Sequence, residues 1–329
     1  MCTMSGLSRW HPRLDITILP LVICVVASNC GSAATPAQQN TPTASPSDEF
    51  LGARAAEVSK VRPADSAVVV YVPAGEFLMG STDAEIAEAK ANCQECPSGW
   101  FDGEKPQHTV HLDAYWIDQY EVTNRQFAQF IEDHGYSRRE FWTEAGWDWK
   151  GRESRTQPRY WDQSPWNEPD LPLVGVTWFE AVAYCRWAGA RLPTEAEWER
   201  AAGWDAERRE KRAYPWGDDW DPAKANTSES ALGHTTVPGQ YCPQGESPVG
   251  ACDMAGNVWE WCSSLYEPYP YRADDGREEL ESDGTRSLRG GSWINGRDRA
   301  RTTYRLPPFP GDFIMFDPTN GFRCAMSDQ

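Results

Sequence analysis

The chain has 329 residues, 40% of them hydrophobic, with 17 Trp and 25 Pro. That composition suits a large core threaded by irregular loops rather than a helical bundle. A formal charge of −18 excludes a nucleic-acid binder, which needs a Lys/Arg surplus, and argues against adsorption to anionic lipid.

Arg9 and Arg13 precede the apolar run ITILPLVICVVAS (16–28), which is short for a membrane span and suits the core of a signal peptide over residues 1–29. Ala27, Ser28 and Asn29 lead to Cys30 and Gly31. This stretch resembles a bacterial lipoprotein cleavage box. The resemblance implies lipidation of Cys30 and an exported chain anchored to a bacterial membrane, periplasmic or at the cell surface; plain secretion with cleavage nearby is the other reading. Residues 30–66 include SAATPAQQNTPTASPSD, too small and polar to build a core, and read as a flexible tether. Export makes the later cysteines disulfide candidates. They are Cys93, Cys96, Cys185, Cys242, Cys252, Cys262 and Cys324, an odd number, so at least one stays unpaired. Cys93 and Cys96 form a CxxC with no second such pair, which argues against a structural zinc site; a local bridge and a pair of loop thiols both remain open.

Order is expected from residue 67. In AVVVYVPAGEFLMGS (67–81) a β-branched run, a Pro-Ala-Gly turn and a second apolar run predict a hairpin. Alternation from His108 to Ile117 predicts a half-buried strand. Thr123-Asn-Arg-Gln126 is a capping box opening a helix, with Phe127, Phe130 and Ile131 as its buried stripe. Thr177 and Glu180 open another helix through about Ala188, ended by Gly189. Thr194 and Glu197 open a third through about Ala202, and Pro193 keeps the intervening turn extended. From about Ala213 the chain reads as loops and short strands. No tandem repeat or internal linker follows residue 67, so 67–329 reads as one domain of roughly 260 residues.

The runs VPAGEFLMGS, HLDAYWIDQYEVTNRQF, LVGVTWFEAVAYCRWAGARLPTEAEWERAA, YPWGDD, DMAGNVWEWC, LRGGSW and NGFRCA together resemble the sulfatase-modifying-factor family, which includes the formylglycine-generating enzyme. The resemblance implies a single α+β, C-type-lectin-like domain with limited regular secondary structure and bound structural calcium. It implies a disulfide between Cys185 and Cys324. It also implies calcium donors at Asp253 and Glu260, with the carbonyls of Gly256 and Val258, an oxygen-only set of the kind calcium takes. A second, partial match falls at Asn226 and Thr227.

The chemistry departs from the family pattern. The family's oxidation of a substrate cysteine uses two cysteines near the GGS loop to hold copper(I), which requires soft thiolates. Between Cys262 and Cys324 this chain has none, so no copper is expected. Ala202 also stands where the family's second disulfide would have a cysteine. Some relatives are non-haem iron oxygenases with histidines on an added helical domain. Here the histidines after residue 29 are His108, His111, His134 and His234. His108 and His111, three apart on a strand, face opposite sides, and His108 reads as a residue satisfying a backbone group.

What remains in the loop after Gly290 is Ser292, Trp293, Asn295, Arg297 and Arg299, followed by Arg301 and Arg305. Arginine forks bind carboxylate, sulfate or phosphate, so the loop is a candidate site for an anionic peptide, protein or glycan ligand. Arg301 and Arg305 read instead as internally paired with acids such as Asp274, Asp275, Glu278 and Glu279. Two functions stand: a tethered binding or accessory domain, or an oxidoreductase of the same family using other ligands. Variable ligand-binding proteins of diversity-generating retroelements end in a similar segment but are Asn-rich there.

Overall fold

The computed structural model describes residues 58–93, 96–97, 99–307 and 317–328. The expected signal peptide, Cys30 and most of the tether lie outside the described residues. Strands β1 (Ser59–Val61), β2 (Val68–Val72), β3 (Gly75–Met79), β4 (His108–Leu112) and β5 (Tyr115–Asp118) come first. They are followed by the short pair β6 (Trp204–Asp205) and β7 (Glu210–Lys211), then β8 (Trp259–Leu265), β9 (Arg286–Arg289), β10 (Asn320–Gly321) and β11 (Ala325–Ser327). Helices are α1 (Asp83–Ala91), α2 (Asn124–Glu132), α3 (Glu144–Glu153), α4 (Trp178–Trp187) and α5 (Glu195–Gly203). The result is a mixed α+β domain with small sheets and long loops. Among the described residues, no helix is long and apolar enough to cross a membrane.

The main sheet has the order β1-β2-β5-β11, antiparallel throughout. Two strand expectations are corrected here. The 67–81 run is not a hairpin: β2 pairs with β5, while β3 pairs with β4 in a separate sheet. The His108–Ile117 alternation likewise divides at Asp113-Ala114 into strands of two sheets. Order also begins inside the expected tether, because β1 pairs with β2. The Arg62 guanidinium, buried, bonds Asp65 and Asp118 at 2.6 Å each.

The capping boxes at Thr123, Thr177 and Thr194 form with both reciprocal hydrogen bonds, and a fourth at Thr82 opens α1. Helix α4 is buried over Trp178–Cys185 and forms the centre of the largest apolar cluster, with Phe127, Phe130 and Tyr184. Helix α5 is buried at every position despite four charged residues. Each charge has a partner: Glu195 meets Arg289 and Arg305, Glu197 meets Arg191, Glu199 meets Arg289, and Arg200 donates to the carbonyls of Pro73 and Gly75. Buried charge is tolerated only with such pairing.

Cys185 on α4 is joined to Cys324, just before β11, which ties the last strand to the central helix. Closing 139 positions of sequence contributes roughly 5 kcal/mol in the chain-entropy picture. Cys242–Cys252 and Cys93–Cys96 are also bonded. Cys262 is the free, buried thiol among the described residues.

Candidate functional site

Three loops meet at one end of β8 and β9. The segment 253–258 leads into β8, 290–305 follows β9, and 225–236 lies against both. Backbone bonds join them: Gly256 N–H to Gly290 O at 2.8 Å, Trp293 N–H to Asn257 O at 3.0 Å, and Ser228 N–H to Asn295 O at 2.9 Å. Two glycines permit this closeness. Gly256 (φ +83°) and Gly291 (φ +76°) occupy left-handed backbone, and a Cβ would collide with the carbonyls of Asn226 and Arg299 respectively.

The stem of the 290–305 loop is clamped by one carboxylate. Glu195 accepts from Arg289 on one side (3.1 Å) and from Arg305 on the other (2.7 and 2.9 Å). Midway, Arg301 forks onto Glu104 at 2.6 and 2.8 Å. Arg301 and Arg305 are therefore internally paired, but with Glu104 and Glu195. Of the acids expected, Asp275 pairs with Arg277, and Glu278 accepts from Ser263, Ser264 and Tyr271.

Ser292 and Asn295 satisfy one another: Ser292 Oγ donates to Asn295 Oδ1 at 2.7 Å and its N–H at 3.0 Å. Both are buried and turn the chain rather than face solvent. Trp293 stacks on Trp166, with ring centroids 5.7 Å apart. Arg297 donates to Asn92 Oδ1 at 2.8 Å, and the Arg299 guanidinium sits 5.0 Å over the Trp100 ring.

Beside this loop lies a cavity of about 530 Å³. Of the five sequence-predicted ligand residues only Arg297 lines it; Ser292, Trp293, Asn295 and Arg299 do not. Five carboxylates line it (Glu85, Glu88, Asp218, Asp219, Asp298) against three cations (Lys211, Arg297, Arg301). Lys211 bonds Glu85 at 2.7 Å, and Arg301 is held by Glu104. Among the described residues Glu88, Asp218 and Asp219 form no ion pair, so the wall is net negative. Burial pushes Asp298 above the ordinary carboxylate range, with Arg299 opposing it. Tyr214 and Trp220 supply aromatic faces; their rings lie 4.9 Å apart, and Tyr214 stacks on Trp216 at 5.5 Å. The sequence reading missed this wall, although YPWGDD, quoted there only as a motif, contributes Tyr214, Asp218 and Asp219.

The expected calcium donors divide. Asp253, in left-handed backbone (φ +56°), is buried and accepts from Gly239 N–H at 2.5 Å. Glu260 is committed elsewhere: Arg323 bonds both its oxygens (2.6 and 2.7 Å), and Trp198 Nε1 donates to it at 2.8 Å. A carboxylate the sequence reading missed, Glu121, reaches the loop through Asn257 Nδ2 (2.6 Å) and Val258 N–H (3.3 Å). Burial and the neighbouring acids Asp253 and Glu260 raise Glu121 well above the carboxylate range. Burial, opposed by the Gly239 amide and Arg323, pushes Asp253 up to about 6. Three buried acids around one arginine suit a divalent cation in charge, though not through Glu260's oxygens as arranged. The Asn226 amide bonds Asn257, His234 O and Ser230, while Thr227 Oγ1 is buried without a protein partner.

His108 spends both ring nitrogens on backbone, with Nδ1 2.8 Å from Pro106 O and Nε2 2.7 Å from Tyr271 N. Burial, with Glu195 adding to it, pushes the Cys262 thiol well above its ordinary value. It is therefore neither nucleophile nor ready metal ligand.

This chain belongs to the family described as sulfatase-modifying factor enzyme 1-like domain, whose model matches residues 54–328. It is 40% identical over 223 residues to hercynine oxygenase of Mycolicibacterium thermoresistibile, covering 62% of this chain and 50% of that protein. The chain spans about half the length of the hercynine oxygenases it matches. It is 34% identical to the formylglycine-generating enzyme of Streptomyces coelicolor, covering 80% of this chain and 90% of that one. To the inactive C-alpha-formylglycine-generating enzyme 2 of Mus musculus it is 33% identical, covering 80% and 87%. Among solved structures, PvdO from Pseudomonas aeruginosa shares the fold (TM-score 0.55, 22% identity, 82% of this chain and 97% of that one).

Proposed function

We propose that this chain is a binding domain of the sulfatase-modifying-factor family that takes a positively charged group of a peptide or protein ligand in the cavity beside the 290–305 loop. The observation that carries the reading is the cavity wall: carboxylates outside any described ion pair at Glu88, Asp218 and Asp219, beside the rings of Tyr214 and Trp220. An ammonium or guanidinium gains from both an aromatic face and a nearby carboxylate. This replaces the anionic ligand expected from Ser292, Trp293, Asn295, Arg297 and Arg299, because of these only Arg297 lines the cavity and the carboxylates there outnumber the cations.

Relatives of nearly equal identity carry the names of a formylglycine-generating enzyme and of an inactive one, so kinship leaves turnover open and loop chemistry supports the binding reading. A copper(I) centre needs thiolates, and the 290–305 loop has none. A second reading, an oxidoreductase using other ligands, draws on the hercynine oxygenases among the relatives. A structural calcium bound by Asp253 and its neighbours, export and a lipid anchor at Cys30 complete the proposal. The test is binding of Lys/Arg-rich and Asp/Glu-rich peptide pools to the purified chain, repeated with Asp219→Asn. Basic peptides bind and the substitution weakens them; a preference for acidic peptides overturns the reading.

A further inference from the structure

Asn92, Cys96 and Trp100 each meet a residue of the arginine loop. Asn92 accepts from Arg297 (2.8 Å), Cys96 Sγ lies 3.7 Å from Asp298 Oδ2, and Trp100 carries the Arg299 guanidinium (5.0 Å). Cys93 and Cys96 are half-buried and joined to each other. One ligand atom from each of Cys93, Cys96 and Asp298 falls within 4.8 Å of the others. Asp298 also lines the cavity, so this cluster sits at the cavity's edge.

We propose that Cys93, Cys96 and Asp298 form a redox-gated zinc site with one coordination position left open. Two sulfurs and one carboxylate oxygen are a mixed donor set that zinc, a borderline cation, accepts. Three protein ligands leave the fourth position for water or a ligand group. Spacing along the chain conceals the site because its third donor lies 202 positions from Cys96.

The closed form is the disulfide. A dithiol reductant opens it: one thiolate attacks a sulfur to give a mixed disulfide, and the second releases the chain's dithiol. The reductant leaves as its own disulfide, having passed two electrons and two protons to Cys93 and Cys96. Zinc binding then displaces the two thiol protons, since the metal takes the thiolates. Arg299 Nε lies 3.7 Å from Asp298 Oδ2, the same oxygen that faces Cys96, and leaves Oδ1 outside that ion pair. The basic-ligand reading rests on Glu88, Asp218 and Asp219, and Asp298 is the one donor of this cluster that also lines the cavity.

The experiment uses the full chain and zinc alone as probe. Mild treatment with a dithiol is followed by its removal, with mass mapping to verify that Cys185–Cys324 stays intact. Zinc is then titrated against a competing chromophoric chelator. The expected result is one zinc per chain beyond that held by Cys93→Ser/Cys96→Ser, and none beyond it before reduction. Asp298→Asn should weaken that zinc by at least about tenfold. Wild-type chain alkylated after mild reduction serves as a second control should the double variant fold poorly. Cobalt in place of zinc should give a sulfur-to-metal charge-transfer band. Equal zinc uptake by wild type and both controls overturns the proposal, and so does unchanged affinity in Asp298→Asn.

Discussion

Replacing Arg323 by Met tests how the loop region tolerates its buried acids. Arg323 is fully buried against Glu260, which is also fully buried. Its fork bonds both Glu260 oxygens, and its remaining N–H groups donate to the carbonyls of Asp118 (3.0 Å), Gln119 (3.1 Å) and Cys252 (2.8 Å). Arg323 is also the guanidinium that lowers the ionisation cost of both Glu121 and Asp253. Removing it takes the guanidinium away from all three carboxylates. Breaking a buried pair from one side costs about 3–5 kcal/mol, which in a domain of this size lowers Tm by roughly 6–20 °C. The assay is urea unfolding followed by tryptophan fluorescence, with calorimetry for Tm. Glu260→Met/Arg323→Met removes both partners; it orphans the Trp198 N–H, a cost of about 1–3 kcal/mol, and shares with Arg323→Met the loss of a donor to the carbonyls of Asp118, Gln119 and Cys252. The double variant should therefore be more stable than Arg323→Met alone. A cost under about 1 kcal/mol for Arg323→Met, or additive costs in the double variant, refutes the electrostatic argument.

Other outcomes follow from the same contacts. Cys185→Ala/Cys324→Ala should lose roughly 5 kcal/mol, and Cys242→Ala/Cys252→Ala, with its shorter loop, roughly 3 kcal/mol, both read by denaturant midpoint. Asp253 has a folded pKa of about 6 against 3.8 unfolded, so the fold holds its proton more tightly than the unfolded chain does. Its contribution is therefore present below pH 3.8 and is lost as pH rises through about 6, a penalty of about 3 kcal/mol above that. Asp253→Asn should flatten this slope in a pH series of unfolding curves. Calcium should raise Tm more above pH 6 than at acid pH, because only the ionised carboxylate attracts it. Trp220→Ala should weaken basic-peptide binding by about 2- to 30-fold, the range of a cation–π contact, measured by fluorescence anisotropy.

Local signals were legible in the sequence. Each capping box is written within four residues, and those at Thr123, Thr177 and Thr194 form as read. The seven cysteines after Cys30, an odd number, imply an unpaired thiol, and among the described residues Cys262 is free. Pairing across the chain was not legible. The strands flanking Pro73 find different partners about 40 positions away, so a turn signal between two apolar runs was no guide to their register. The same holds for charge. Arg301 and Arg305 meet Glu104 and Glu195, more than 100 positions distant, whereas the nearby acids serve Arg277 and hydroxyl groups. Asp298 joins Cys93 and Cys96 only through the fold. The Cys185–Cys324 bond is implied by family resemblance, not by spacing.

We propose that the cavity beside the 290–305 loop binds a ligand and that the loop, lacking thiols, does not oxidise one. The most direct measurement incubates the purified full chain with copper(I), dioxygen, a reductant and a peptide carrying a cysteine in a sulfatase-type motif, and follows aldehyde formation by mass spectrometry. No formylglycine above the protein-free control is the predicted result. Aldehyde that accumulates in proportion to protein and metal would contradict the account.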